Sequence, residues 1–141
     1  KAIEIAWRDM DAESKRLRKR TKTFVDGVRN RIDDIRIIGD QKNRVPNTVN
    51  IAFKAIEGES IVLSLDLKGV AVSSGSACSS GAVEPSHVIL AMGVSPDLAQ
   101  GSIRFSFGRS NNESDIDYLL DILEQEINRL RSISPLYQMQ R

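Results

Sequence analysis

The only cysteine of the chain, Cys78, stands in the run SSGSACSSGA, with nothing but Ser, Gly and Ala for three residues on either side. A thiol is a nucleophile once it loses its proton. At an ordinary pKa of about 8.5, only about 3% is thiolate at pH 7. Nothing close in sequence lowers that value, because no Lys or Arg occurs from Gly69 through Ile103. A nucleophilic Cys78 must therefore be activated by folded neighbours, by substrate or by another domain. A free cysteine is also often a small buried hydrophobe, and on the residues alone both readings stay open. Gly75 and Gly81 widen backbone freedom around it, and its small neighbours offer little area to bury. That composition suits a surface loop that carries a reactive group to a partner.

Arg104 is the second residue with chemistry. It alternates with Ile103 and Phe105 in SIRFSFG, so it belongs to the polar face of a strand. A guanidinium there can grip a carboxylate through two parallel hydrogen bonds, or it can sit in an ordinary surface ion pair. Arg109, just past the strand, reads as structural. His87 is the only histidine, nine positions after Cys78, and reads as the solvent-facing start of a helix. One Cys and one His cannot fill a structural zinc site. No glycine-rich phosphate loop follows a strand, and no full protease set is present. No metal site and no cofactor-binding residue is assigned, so the chain lacks a self-sufficient catalytic set.

The elements that must position these residues fit one domain. The 141 residues include 40% apolar and 28% charged residues, with Lys plus Arg 20 against Asp plus Glu 19. This balance gives no general pull toward nucleic acid or an anionic membrane. No apolar run is long enough to span a bilayer. A lone cysteine fits a reducing, cytoplasmic compartment. Lys1 enters a helical pattern with no initiator Met and no capping residue, the pattern expected of a piece of a longer polypeptide.

Ile3, Trp7, Met10, Leu17, Phe24 and Val28 mark one stripe of a helix over Ala2–Asn30, with Ser14 and Thr21 interrupting it. Its basic run, KRLRKRTK at 15–22, reads as a solvated face; the competing reading is a binding module for nucleic acid or an acidic protein. Strands are predicted at Ile35–Ile38, Thr48–Phe53, Val70–Val72 and Ser102–Gly108. A short helix lies in IVLSLDLKG, closed by Gly69. The Ser/Gly/Ala/Pro-rich segment Ser73–Gly101 holds one helical piece, Ser86–Met92, ended by Gly93. A last helix starts from Asn112 as N-cap and ends at Pro135. The fold class is α+β, a small sandwich of a short, mostly antiparallel sheet with helices packed on it.

SSGSACSSGAVEPSHVILAMG, followed by GSIRFSFGR and LRSISPLY, closely resembles the C-terminal part of cysteine desulfurases of the NifS/IscS type. The resemblance runs from Lys1 to Tyr137. It implies the small C-terminal domain of an aminotransferase-like pyridoxal-phosphate enzyme, usually a homodimer, that takes sulfur from L-cysteine and leaves L-alanine. On this resemblance residues 1–141 form that single domain and 73–101 form its Cys-bearing loop. Cys78 falls on the nucleophile that becomes the persulfide, and Arg104 on the arginine that holds the substrate carboxylate. The long Ser73–Gly101 segment resembles that of the family's longer-loop group, and this resemblance implies an iron–sulfur scaffold protein as sulfur acceptor. The resemblance implies no nucleic acid or membrane partner and no catalytic role for His87. Ser79 stands where related enzymes often carry Thr. The lysine that binds pyridoxal phosphate and the histidine that stacks on it belong to the family's large domain and have no counterpart here, so the chain alone is expected to be inactive.

Overall fold

A computed structural model describes residues 1–75 and 85–138. Helix α1 spans Ala2–Arg31, about 45 Å at the helical rise. Its C-terminal half buries Leu17, Thr21, Phe24, Val25 and Val28. The expected stripe continues into the first turns, yet there Ile3, Trp7 and Met10 are exposed. Periodicity shows which face of a helix is apolar, not whether another element covers it. Thr21 does not weaken the packed half, because its hydroxyl donates to the Pro46 carbonyl at 2.8 Å.

Strands β1 (Ile35–Ile38), β2 (Thr48–Phe53), β3 (Ser73–Ser74) and β4 (Ser102–Ser106) form one sheet in the order β1-β2-β4-β3. Every pairing is antiparallel. Val49, Ile51, Phe53, Ile103 and Phe105 fill the face turned to α1, α2 (Gly58–Asp66) and α5 (Glu113–Ile133). Phe24 of α1 meets the rings of Phe105 and Phe107 with centroids at 4.9 and 5.3 Å. Full burial of one such ring contributes roughly 1.5–3 kcal/mol. The strand expected at Val70–Val72 is displaced to Ser73–Ser74. Val70 and Val72 do pack against the core, but β4 offers its hydrogen-bonding edge to Ser73 and Ser74. Burial set the apolar pattern, and pairing set the strand.

Gly69 closes the turn after α2 with φ +74°, a left-handed conformation that suits glycine, and its amide donates to the Asp66 carbonyl at 2.8 Å. Two short helices, α3 (His87–Ala91) and α4 (Pro96–Gln100), lie where one was expected. Ser95 precedes Pro96 at the first position of α4, with Asp97 in its first turn. Ile89, Val94 and Ala99 form a second small core with Ile38 and Leu98. Ile38 lies on the other face of the sheet, so this pair of helices partly covers it.

Helix α5 begins with a complete capping box. The Asp115 amide donates to Asn112 Oδ1 at 3.1 Å, and the Asn112 amide to Asp115 Oδ2 at 3.0 Å. The helix stops at Ile133, and Pro135 opens the one-turn α6 (Pro135–Gln138). Arg131, almost fully buried, donates to the Asp34 carbonyl at 3.1 Å and lies 4.9 Å from the centre of the Tyr137 ring. Burial pushes its pKa down from the usual arginine value.

Candidate functional site

The sheet's second face carries the site. Cross-strand partners place Ile38, Asn50, Arg104 and Ser73 in one row across all four strands, with their side chains on the same side. Arg104 is exposed, as its polar position on β4 predicts. Its Nη2 donates to Ser73 Oγ at 3.2 Å, and among the described residues no carboxylate pairs with it. Among the described residues, then, no ordinary surface ion pair occupies this guanidinium. A planar fork of N–H donors with no carboxylate partner among the described residues is suited to a carboxylate.

Asn50 sits opposite Arg104 on β2, and its Oδ1 is buried with no hydrogen-bond partner among the described residues. Ser102, two residues before Arg104, is fully buried, and its Oγ likewise has no partner. Two buried polar atoms without a hydrogen-bond partner and a cation without a carboxylate partner, all among the described residues, set this face apart from the apolar one. Neither Asn50 nor Ser73 was singled out by sequence. The signal for Asn50 was present, a polar residue between Val49 and Ile51 in an alternating strand, but only the register of β2 against β4 puts it next to Arg104.

Cys78 lies among residues 76–84, outside the described residues. The chain enters that segment from β3, which is paired with Arg104 and Ile103. At its base the Gly75 amide donates to the Ser102 carbonyl at 3.0 Å. A Cβ on Gly75 would stand 2.2 Å from Ser102 Oγ, so only glycine fits this approach. The chain is described again from Pro85, and His87 is the exposed first residue of α3, as expected.

Arg109 makes an ion pair with Asp9 at 3.6 Å, tying the β4–α5 connection to α1. Much of the basic run is engaged in the same way. Arg16 pairs with Glu13 at 2.5 Å, and that hydrogen bond holds the Glu13 carboxyl below its usual range. Lys19 pairs with Glu113 at 3.4 Å and Lys22 with Asp26. Arg44, partly buried near Arg18 and Arg29, has its pKa pushed down chiefly by desolvation. Among the described residues no group of three or more His, Cys, Asp or Glu could hold a metal ion, and no helix is long and apolar enough to cross a membrane.

The sequence matches the family model for aminotransferase class-V over residues 1–119. It is 50% identical over 138 residues to a cysteine desulfurase IscS of Dictyoglomus turgidum, covering 98% of this chain and 35% of that protein. It is 45% identical over 137 residues to cysteine desulfurase IscS 1 of Archaeoglobus fulgidus, covering 97% and 36%. The chain thus spans about a third of the length of these curated relatives. Among solved structures, a NifS-like protein superposes with a TM-score of 0.78 at 31% identity, over 92% of this chain and 32% of that one. A match that runs from the first helix through the sheet into α5 leaves one assignment: the chain belongs to the aminotransferase class-V family.

Proposed function

We propose that this chain is the C-terminal small domain of a cysteine desulfurase, supplying Cys78 as nucleophile and Arg104 as anchor for the substrate carboxylate. The reading rests on one observation above the others. A guanidinium with no carboxylate partner among the described residues stands on the strand that also anchors the base of the Cys78 segment, through Gly75 and Ser102. The similarity to proteins named cysteine desulfurase supplies the substrate class.

The side chains described here do not fit a cofactor-holding role. None of β2, β3 and β4 carries a lysine, and the row offers one cation between neutral polar groups. That donor set matches an α-carboxylate, not the aldehyde of pyridoxal phosphate. The lysine that holds the cofactor is assigned to a large domain beyond this chain, which also supplies the electron sink that makes the substrate C–S bond breakable.

In this reading Arg104 fixes L-cysteine by its carboxylate, which sets the position of its sulfur. The Cys78 thiolate attacks that sulfur. An S–S bond forms, and the C–S bond breaks with its electron pair left on carbon. The carbon takes up a proton, so L-alanine leaves and Cys78 holds the persulfide. The step needs no outside oxidant or reductant. The persulfide then passes to an iron–sulfur scaffold protein. The working enzyme is a cytoplasmic homodimer.

The test uses the full-length enzyme with pyridoxal phosphate and L-cysteine. Cys78→Ser should abolish persulfide formation and alanine release, and turnover should add about 32 Da, one sulfur, to the peptide containing Cys78. Equal alanine release by both enzymes, or no added sulfur on that peptide, rejects the role of Cys78. An Arg104→Ala enzyme with unchanged KM and kcat rejects the anchor.

A further inference from the structure

Of the two orphaned polar groups on this face, Asn50 is the one that faces Arg104 directly across the strand pair. Its Oδ1 can only accept a hydrogen bond, and among the described residues it receives none although it is buried. An acceptor left in that state costs about 1–3 kcal/mol, so it calls for a donor. The residue facing it across the strand pair is Arg104, since the two are Cα partners in the β2–β4 register. Such partners bring their Cβ atoms within about 5.5 Å, well inside the reach of an arginine side chain.

On the other side of Arg104 stands Ser73, its Cα partner on β3, which already accepts from Nη2 at 3.2 Å. Arg104 thus has an acceptor on each neighbouring strand, one occupied and one vacant. A guanidinium has five N–H groups, and a bidentate carboxylate takes two. The N–H groups turned away from the carboxylate need acceptors, and the two flanking strands offer them.

We propose that Asn50 is a positioning residue for Arg104: on substrate binding its Oδ1 accepts an N–H from the guanidinium, and with Ser73 it fixes the fork in the plane that meets the carboxylate. This rests on the reading of Arg104 as the carboxylate anchor. The Asn50 hydrogen bond is gained only when substrate arrives and relieves a buried acceptor left unpaired before, so that gain belongs to binding. Asn50 acts through Arg104 and touches no reacting atom. Its removal should therefore raise KM and leave kcat nearly unchanged.

The experiment compares full-length wild type, Asn50→Leu, Arg104→Ala and the double variant with L-cysteine. Each is first checked for folding by its thermal transition. Asn50→Leu keeps the size of the side chain and removes the acceptor. It should raise KM about tenfold, the worth of one hydrogen bond to a charged group, with kcat within about twofold. In the Arg104→Ala background the same change should raise KM no further, because the group it positions is gone. An unchanged KM in Asn50→Leu overturns the proposal. So does an equal effect with and without Arg104, which marks a purely structural role. If Asn50→Leu does not fold, Asn50→Asp replaces it. Its carboxylate would capture the guanidinium and raise KM further, and an unchanged KM again overturns the proposal. Failure of the anchor itself looks different, because Arg104→Ala would then leave KM unaltered.

Discussion

Gly75, just past β3, lies so close to Ser102 of β4 that no room is left for a side chain. The Gly75 amide donates to the Ser102 carbonyl at 3.0 Å, and an added methyl group would come within 2.2 Å of Ser102 Oγ. Ser102 is fully buried. Gly75→Ala should cost about 1–3 kcal/mol of stability, as overpacking does. In the full-length enzyme it should also slow single-turnover persulfide formation, because the base of the segment bearing Cys78 is displaced. Adding Ser102→Ala removes the clashing oxygen and should restore part of both losses. Thermal melting and rapid-quench alanine release measure them, and a Gly75→Ala enzyme as stable and fast as wild type contradicts the steric account.

Phe24 joins α1 to the sheet through Phe105 and Phe107 and is fully buried. Phe24→Ala should destabilise the fold by about 3–5 kcal/mol, the usual cost of emptying an aromatic site. Denaturant unfolding gives the number. A loss below about 1 kcal/mol would mean that α1 contributes little to the core.

Asn112 and Asp115 satisfy each other's backbone amides at the start of α5. Asn112→Ala should cost about 1 kcal/mol, and Asn112→Ser should recover most of it because serine still accepts from the third helical amide. Equal stability of the two variants would count against capping as the cause.

Asp40 accepts the backbone amides of Lys42 at 2.7 Å and Asn43 at 3.1 Å, which hold its carboxyl below the ordinary range. A carboxyl with a depressed folded value contributes order that is present above its unfolded pKa and lost as pH falls through the folded one. The turn after β1 should therefore keep its amide protection at pH 5–7 and begin to lose it only below about pH 4, as the carboxyl titrates through its depressed folded value. Asp40→Asn should flatten that dependence. Hydrogen exchange at Lys42 and Asn43 reads it directly, and protection that ignores pH in wild type would refute the link.

Local signals carried much of the architecture. A short apolar run located β1 and alternation located β2 at their observed bounds, and the Asn112 cap located the start of α5. The failures share a cause. Val70–Val72 has the apolar pattern of a strand, but pairing along β4 begins only at Ser73. Ser95-Pro96-Asp97 carried a helix-start signature that the surrounding glycines and serines obscured. Arg104 was legible as a polar-face arginine. Its neighbours Asn50 and Ser73 were not, because they are 54 and 31 residues away in sequence and meet it only through register. For Cys78 the residues alone left a nucleophile and a small buried hydrophobe both open, and its segment lies outside the described residues.

Trp7 is the sole tryptophan and stands 76% exposed on the outer half of α1. That gives the chain an intrinsic optical reporter. Its fluorescence should lie at the red end of the indole range in the isolated domain and change little when the core melts. Anything that settles over the first turns of α1 would expel water from around the ring and move the emission toward the blue. Docking of further polypeptide can thus be followed without a label, separately from folding.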